Sequence, residues 1–431
     1  MLKILNSDNA FVVYYHKDHI YSFNAIIGAL ETDSYFDNYP IHFISKREDL
    51  IHNLKDIVDH YENIVVSISF FTTELWEIMD LMKVLKKKYK KKVVFLAGGP
   101  HPTGDPLGTL KLGFDIVVVG EGEETIIELL KMINERKHLS KVKGIAYLDE
   151  YNNYIYTGKR DFVDLDAYPA FPLKNIRFGA IEITRGCPYV CYFCQIPYLA
   201  GTIPRHRSIK SICKYVKELK IYYKDQTDVR FITPNAFTYG SEDGKRINLE
   251  KLESLLKSVR EIIGKEGSIF FGTFPSEVRP ENISHETLNL VLKYADNDNI
   301  TIGAQSGSQK ILDKCHRDHT VEDVYNAVNL ILEKNLKVNI DFIFGLPEEN
   351  EEDIRLTLKM MKDLSKLGAR IHGHSFIPLP ETPFKYKTVK RLNENLKREI
   401  INLISKGSLF GDWKKQERLA LKISKYFKDK K

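Results

Sequence analysis

Three cysteines stand close together in the string Cys187-Pro-Tyr-Val-Cys191-Tyr-Phe-Cys194. Three thiolates on one short loop can bind three irons of a [4Fe–4S] cluster, and the fourth iron is then left without a protein ligand. An iron with an open position is a substrate site, as the open position of a catalytic zinc is. Structural zinc is the alternative, but it usually needs a fourth cysteine or histidine at a characteristic spacing, and the nearest, His206, follows only twelve residues later.

The composition is that of a soluble globular protein. Of the 431 residues, 43% are hydrophobic and 28% are charged, which excludes whole-chain disorder and a fibrous fold and predicts two or three domains. Five cysteines are too few for a disulfide scaffold. The string MLKILNSDNA lacks the pattern of a secretory signal, and no apolar run approaches the ~20 residues of a membrane span. We therefore expect a cytoplasmic protein, without membrane insertion, in a reducing compartment.

The net charge of +6 is unevenly distributed. Residues 385–431 carry 15 Lys and Arg against 5 Asp and Glu, which is +10, so that residues 1–384 carry −4. A basic segment of this kind could contact an acidic protein or a nucleic acid. The favoured interpretation is a solvated helix face, because charge runs are usually that.

The first third of the sequence alternates short β-branched runs with amphipathic stretches. The runs predict strands at residues 11–16, 41–45, 63–70, 92–99 and 115–122. Nearly continuous apolar strands separated by helices indicate a parallel sheet covered on both faces. We therefore predict a doubly wound, flavodoxin- or Rossmann-like α/β domain over residues 1–145, with its ligand crevice at the carboxyl ends of the strands.

Glycines occupy two of these predicted strand ends. Gly98 and Gly99 end the fourth strand, and Gly120 and Gly122 end the fifth. Because glycine lets the backbone approach a ligand closely, all four are predicted to line the crevice. For any one of them, a tight turn without a ligand is the alternative.

The remaining sequence predicts a second α/β domain. Residues 146–178 are turn-rich and indicate a hairpin followed by a linker. Over residues 179–384, six strand candidates alternate with helices, which predicts a partial (βα)6 TIM-like barrel with its chemistry at the carboxyl ends of the strands. The basic segment 385–431 is predicted to be a helical extension.

The cysteine loop, with Phe193 before its last cysteine, resembles that of the radical S-adenosylmethionine (SAM) superfamily. Its position after the first barrel strand agrees with the resemblance. The resemblance implies that Cys187, Cys191 and Cys194 bind the cluster, and that the free iron binds the amino and carboxylate groups of SAM. One electron from the cluster would then cleave the sulfonium to give a 5′-deoxyadenosyl radical.

Later strand ends are similar to the SAM-contacting positions of that superfamily. They are Asn235 after the second strand, Arg279 after the third, and Gln305 with Ser306 at the end of the fourth. The fifth-strand loop around Gly345 resembles the one that lies near adenine. Taken singly, each reads equally well as a turn or a helix cap; together, in order, they favour a cofactor site.

A doubly wound domain ahead of such a barrel resembles the cobalamin-binding class of the superfamily. The strings AGGPHPTGDP and GFDIVVVGEGEETIIELL are similar to the end of that class's cobalamin domain, and the resemblance covers about residues 1–385. The Asp-x-His-x-x-Gly motif that supplies a cobalt ligand in cobalamin mutases is absent. His16, His19 and Tyr21 are loop candidates for that ligand, with ordinary exposed or packed side chains as the alternative.

The positions of the other cysteines distinguish this chain from related methylthiotransferases. Those relatives carry a second cysteine triad in their α/β domain, and residues 1–186 of this chain contain no cysteine. Cys213 and Cys315 are interpreted as packing residues. His372 and His374 alternate on the last predicted strand and so share one face, where they could act as acid and base or be satisfied barrel histidines.

The resemblance implies a radical SAM enzyme that binds cobalamin, most simply a methyltransferase acting on an unactivated carbon. Such a carbon has neither an acidic proton nor a lone pair, so polar methyl transfer is closed to it. A cobalamin-linked cyclase or rearrangement enzyme is the alternative, and a non-catalytic iron–sulfur or nucleic-acid-binding module is a third reading. A ferredoxin- or flavodoxin-like reductant is the expected partner, the basic segment fits a protein or peptide substrate, and nucleic acid is disfavoured.

Overall fold

The computed structural model describes residues 8–89 and 92–430. The chain divides into two compact units, residues 1–179 and residues 180–431. The expectation of no secretory signal depends partly on residues 1–7, which lie outside the described residues. Among the helices of the described residues, none has both the length and the apolar character needed to cross a bilayer.

The first unit is built on one sheet. In its described residues seven strands follow the order β2-β1-β3-β4-β5-β6-β7, in which β1 to β5 are parallel and the pairs β5–β6 and β6–β7 are antiparallel. This is the flavodoxin-like order, with its switch point between β1 and β3. The predicted doubly wound domain is confirmed, and of the flavodoxin- and Rossmann-like orders that the sequence left open, the structure has the former. The strands are β1 (Asn9–Tyr14), β2 (Ile41–Ile44), β3 (Asn63–Ser69), β4 (Val93–Gly98), β5 (Ile116–Val118), β6 (Ile145–Leu148) and β7 (Tyr154–Tyr156).

The helices of the first unit cover this sheet because its strands are apolar on both faces. In β3 every residue after Asn63 is buried, which is typical of a central parallel strand. The α1 residue Ile27 and the α6 residue Leu129 are fully buried in one cluster with Phe11 and Val13 of β1. The helices are α1 (Ile20–Leu30), α2 (Arg47–His60), α3 (Leu75–Tyr89), α4 (Pro100–Gly104), α5 (Pro106–Leu110) and α6 (Glu123–Asn134).

The second unit contains the predicted partial barrel. Two parallel sheets follow one another, in the orders β12-β11-β8 and β13-β14-β15-β16, and a parallel bridge joins Val278, beyond β12, to Ile302 of β13. The strands are β8 (Ile181–Glu182), β9 (Thr184–Arg185), β10 (Arg205–His206), β11 (Asp228–Ile232), β12 (Ser268–Phe270), β13 (Asn299–Gln305), β14 (Lys337–Phe344), β15 (Arg370–Ser375) and β16 (Leu409–Phe410).

The structure refines three of the predicted strands and segments. The first predicted barrel strand is divided, because β8 pairs with β11 whereas β9 pairs antiparallel with β10. The third predicted barrel strand, residues 268–274, is shorter in the structure: it ends at Phe270, shortly before Gly272, which has a left-handed φ of +83°. The extension 385–431 is not wholly helical, since β16 adds a short parallel strand to β15.

Amphipathic helices pack around the barrel strands. On β14 the burial alternates, with Ile340 and Phe342 buried and Asp341 between them half-buried, so that Asp341 points to the opposite face of the sheet. The helices are α7 (Ile196–Ala200), α8 (Ile209–Tyr223), α9 (Leu249–Ile263), α10 (His285–Tyr294), α11 (Gln309–Lys314), α12 (Val321–Glu333), α13 (Glu351–Lys366), α14 (Glu394–Ser405) and α15 (Trp413–Lys428).

The basic C-terminal segment is docked on the second unit through apolar side chains. In α15, Trp413, Ala420, Ile423 and Phe427 are buried, while most of the lysines are exposed. Burying one such face stabilises a helix that has few other contacts of its own. The positive charge of this segment therefore lies on a solvated face.

Candidate functional site

The three-cysteine loop begins directly after β9. Gly186 has φ +93°, and a Cβ there would collide with the carbonyl oxygen of Ile203, so the position before Cys187 requires glycine. The backbone N–H of Cys187 donates to Gly201 O at 3.0 Å, and that of Cys194 donates to Cys191 O at 3.1 Å. These backbone bonds fix the course of the loop that carries the three thiols.

The thiols are withdrawn from water and close enough to influence one another. Cys191 is 3% exposed, and Cys187 and Cys194 are half-buried. Burial, with a smaller contribution from the neighbouring Cys191 and Cys187, raises the pKa of Cys194 to about 12. Since a cluster binds thiolates, the protons must leave when iron enters. Three thiols on one loop, near enough to interact electrostatically, fit three irons of a [4Fe–4S] cluster.

Two arginines lie beside this loop, and the sequence predicted a role for only one of them. Arg279 is 4% exposed, stacks over the Tyr189 ring at 3.4 Å, and pairs with Glu281. Arg317 donates from Nη1 to Cys191 Sγ at 3.8 Å and from Nη2 to Gly303 O at 3.0 Å. Two guanidinium groups beside the thiols provide the positive surroundings that an anionic thiolate cluster needs.

Arg317 lacks the compensation that Arg279 has. Within the described residues its Nε is buried without a hydrogen-bond partner. Burial, and next the neighbouring Arg279, hold the pKa of Arg317 below its ordinary value. Glu281 and Cys191 offset only part of this effect. A buried cation that is only partly compensated and faces a cysteine is explained if an anion is bound there when the protein is loaded.

Asn235 and Ser306 are engaged within the protein. The Asn235 amide donates to Asn282 Oδ1 at 2.7 Å, and its own oxygen accepts from the backbone N–H of Arg279 at 3.4 Å. Ser306 is fully buried, with its hydroxyl 3.2 Å from Thr357 Oγ1. Their predicted SAM contacts stay predictions; in the structure Asn235 is bonded to the segment after β12, and Ser306 to helix α13.

Gln305, at the end of β13, and Phe193, in the cysteine loop, have different surroundings. Gln305 is half-buried in a left-handed conformation, φ +70°, where the pairing of β13 with β14 shifts register. Phe193 packs against a buried cluster that includes Cys315 and Phe376. Cys315 also accepts the backbone N–H of Tyr192 at 3.0 Å through its carbonyl oxygen, so it supports the loop by packing.

In the first unit, the predicted glycines lie at the carboxyl ends of β4 and β5. A Cβ on Gly98 or on Gly120 would meet nothing within 4 Å, whereas one on Gly99 would crowd Ser69 Oγ. Gly122 packs against Ile26 of α1. Gly98 and Gly120 therefore border open space, which fits a bulky planar ligand such as cobalamin across the strand ends, while Gly99 and Gly122 serve close packing.

The loop candidates for a cobalt ligand have different surroundings. His19 is 2% exposed, and its Nε2 lies 2.8 Å from Glu74 Oε2. His16 is half-buried, 3.4 Å from Asp18, and Tyr21 is exposed. His19 is thus paired with Glu74, and His16 is the more exposed of the two histidines.

The open space at Gly98 gives a direct test of cobalamin binding. Gly98→Leu is expected to fold, because there is room for a Cβ at this position, and a melting curve checks this. The substitution should weaken hydroxocobalamin binding by about tenfold or more, since about 1.4 kcal/mol of lost contact suffices. Gly99→Ala is the contrasting variant: its φ of +94° and the Ser69 contact should lower stability. Unchanged cobalamin affinity in Gly98→Leu, measured by absorbance titration, contradicts this placement.

Family models match both units. The radical SAM superfamily model matches residues 181–361, and the B12-binding domain model matches residues 23–130. An uncharacterized methyltransferase of Pyrococcus horikoshii is 26% identical over 335 residues, which cover 74% of this chain and 68% of the relative. A tRNA-2-methylthio-N(6)-dimethylallyladenosine synthase of Rickettsia typhi is 24% identical over 343 residues, which cover 78% and 70%.

Solved structures share the fold. The radical SAM methyltransferase TsrM from Kitasatospora setae, with cobalamin and a [4Fe–4S] cluster bound, has a TM-score of 0.67 at 16% identity, covering 88% of this chain and 77% of that one. The cobalamin-dependent SAM radical enzyme OxsB has a TM-score of 0.63 at 17% identity, covering 83% of this chain and 52% of that one. The two domains identify the cofactors as a [4Fe–4S] cluster with SAM, and cobalamin. The chain belongs to the cobalamin-binding subgroup of the radical SAM superfamily.

Proposed function

We propose that this radical SAM enzyme transfers a methyl group to an unactivated carbon in a cobalamin-dependent reaction. The observation that carries the proposal is the B12-binding domain at residues 23–130 ahead of the radical SAM domain at residues 181–361. The similarity to a methyltransferase of Pyrococcus horikoshii and the fold of TsrM support it.

The bound cofactors would supply a carbon-centred radical and a methyl donor. The protein's own residues bind and orient them: Cys187, Cys191 and Cys194 would hold the cluster, and Arg279 and Arg317 would balance its charge. Gly98 and Gly120 would let the corrin lie close to the strand ends. The partial burial of the cysteine loop would limit the access of solvent molecules to the bound cluster.

Methylthio transfer is the activity named for several of the relatives, and one sequence observation disfavours it here. The first unit of this chain has no cysteine, so it offers no thiolates for a second cluster. The B12-binding match over the same unit supports cobalamin as its ligand. Because the first unit has no cysteine and matches a B12-binding domain, we favour methyl transfer over methylthio transfer.

The experiment is an anaerobic reaction of the loaded enzyme with a chemical reductant or a ferredoxin- or flavodoxin-like protein. The substrate pool is the small-molecule and peptide extract of the source cells, supplied with SAM that carries a deuterated methyl group. A product about 17 Da heavier than its precursor, which is CD3 in place of H, supports methyl transfer, and omission of cobalamin should abolish it. Products with an unchanged or lowered mass contradict it and favour rearrangement or ring formation.

A further inference from the structure

Two histidines and an aspartate meet on the interior-facing side of β14 and β15. Asp341 of β14 stands opposite His372 of β15 in the parallel register, and His374 follows two residues later. On both strands the alternate residues are buried, so these three side chains share the opposite face of the sheet. All three are half-buried.

Their ligand atoms form a small triangle. His372 Nδ1 lies 2.9 Å from Asp341 Oδ1 and 3.1 Å from His374 Nε2, and His374 Nε2 lies 3.7 Å from Asp341 Oδ1. Metal–ligand bonds of about 2.1 Å give ligand–ligand distances of about 3.0 to 3.4 Å at octahedral and tetrahedral angles. A point about 2.1 Å from all three atoms therefore exists.

Hydrogen bonding alone does not explain this arrangement. His372 Nδ1 faces two partners at hydrogen-bond distance, but a ring nitrogen carries one proton or one lone pair. If Nδ1 donates to Asp341, it faces His374 Nε2 without a lone pair to offer. If it accepts from His374, its contact with the carboxylate has no proton. A cation at the centre satisfies all three atoms at once.

The charge of the surroundings favours a cation. Asp341 brings a carboxylate to the triangle of ligand atoms. Glu277 is a second carboxyl, close enough to Asp341 for the two to interact electrostatically. Carboxylate oxygens and imidazole nitrogens are both ligands of divalent transition-metal ions.

The C-terminal extension holds the two rings in place. Phe410 of β16 stacks on His372, with ring centroids 4.6 Å apart and planes 7° from parallel. Gln416 of α15 accepts the backbone N–H of Ser375 at 2.8 Å, which places its amide nitrogen 3.3 Å from His374 Nδ1. When a metal ion binds Nε2 of His374, its Nδ1 carries a proton, and the Gln416 amide N–H is a second donor that cannot accept it. We therefore expect the native site to bind metal more weakly than a site whose histidine donates to a carboxylate.

We propose that Asp341, His372 and His374 form a binding site for a divalent transition-metal ion, distinct from the cysteine loop. Two histidines and one carboxylate on one face of the ion leave open positions for water or for an oxygen atom of the substrate. Such an ion would fix a carboxylate, carbonyl or hydroxyl of the substrate in the barrel interior. The proposal does not depend on methyl transfer.

The test uses the full chain with its cluster reconstituted, freed of loose metal with a mild chelator, and Zn²⁺ as the probe. Calorimetric titration and the zinc content after desalting should give one bound Zn²⁺ per chain beyond the cluster. His374→Ala and Asp341→Asn should each lower the affinity by about tenfold or more. His285→Ala, which removes an exposed histidine from the start of α10, is the matched control and should bind as the parent does.

Gln416→Glu separates a metal site from a hydrogen-bonded histidine pair. A carboxylate there can accept from both Ser375 N–H and His374 Nδ1–H, so it should raise Zn²⁺ affinity by about tenfold. Cluster absorbance at parental intensity shows that each variant is folded. Zn²⁺ binding that is absent in the parent, or equal in the parent, His374→Ala and Asp341→Asn, overturns the proposal.

Discussion

Replacing Cys191 by alanine is expected to abolish cluster binding and, with it, cleavage of SAM. Cys191 is the most buried thiol of the loop and the one that receives the Arg317 guanidinium. Two remaining thiolates leave a second iron without a ligand, and a cluster of this type is held by its cysteines. After anaerobic reconstitution, the iron content and the visible absorbance of the variant should fall to background, and 5′-deoxyadenosine should be undetectable.

The matched control for this change is Cys213→Ala. Cys213 lies half-buried on α8, away from the loop, so the same substitution there should leave iron content and SAM cleavage at parental values. Equal loss in both variants would point to general destabilisation. Full iron content in Cys191→Ala would contradict the assignment of the loop as the cluster ligand.

The sequence predicts the parts of the site that depend on local spacing. The three cysteines lie within eight residues, so their convergence needs only one loop after a strand. The glycines at the ends of β4 and β5 could be placed for the same reason, because a strand end is visible in the apolar pattern. The alternation of strands and helices predicts a doubly wound parallel sheet, but it does not decide between the flavodoxin-like and Rossmann-like strand orders.

Contacts between distant segments could not be predicted in this way. Arg317 is 126 residues from Cys191, and it reaches that thiol because the segment after α11 folds back over the loop. The alternation of His372 and His374 showed a shared face, but their pairing with Asp341 depends on the register of β14 and β15. A two-residue strand such as β16 is too short to give a period.

Replacing Arg317 by methionine is expected to have opposite effects on the apoprotein and on the loaded protein. In the apoprotein, the buried cation lies near Arg279 and its Nε has no partner within the described residues. An apolar side chain of similar length should therefore raise the free energy of unfolding by about 1 to 4 kcal/mol. The lost hydrogen bond to Gly303 O offsets part of this gain.

With the cluster bound, the same guanidinium becomes favourable, because the Cys191 thiolate it contacts is now negative. A hydrogen bond between charged groups contributes about 1.5 to 3 kcal/mol, so Arg317→Met should weaken cluster retention about tenfold to a hundredfold. The cluster's reduction potential should fall, since a nearby positive charge favours the reduced, more negative state.

Arg317→Lys keeps the charge and should recover part of the potential. Arg246→Met removes an arginine whose side chain is 93% exposed and should change neither quantity. Melting curves of apo and loaded protein with a potentiometric titration followed by electron paramagnetic resonance decide between these outcomes. A less stable apoprotein together with an unchanged potential would mean that Arg317 is a packing residue, and that the positive surroundings of the cluster depend on Arg279 alone.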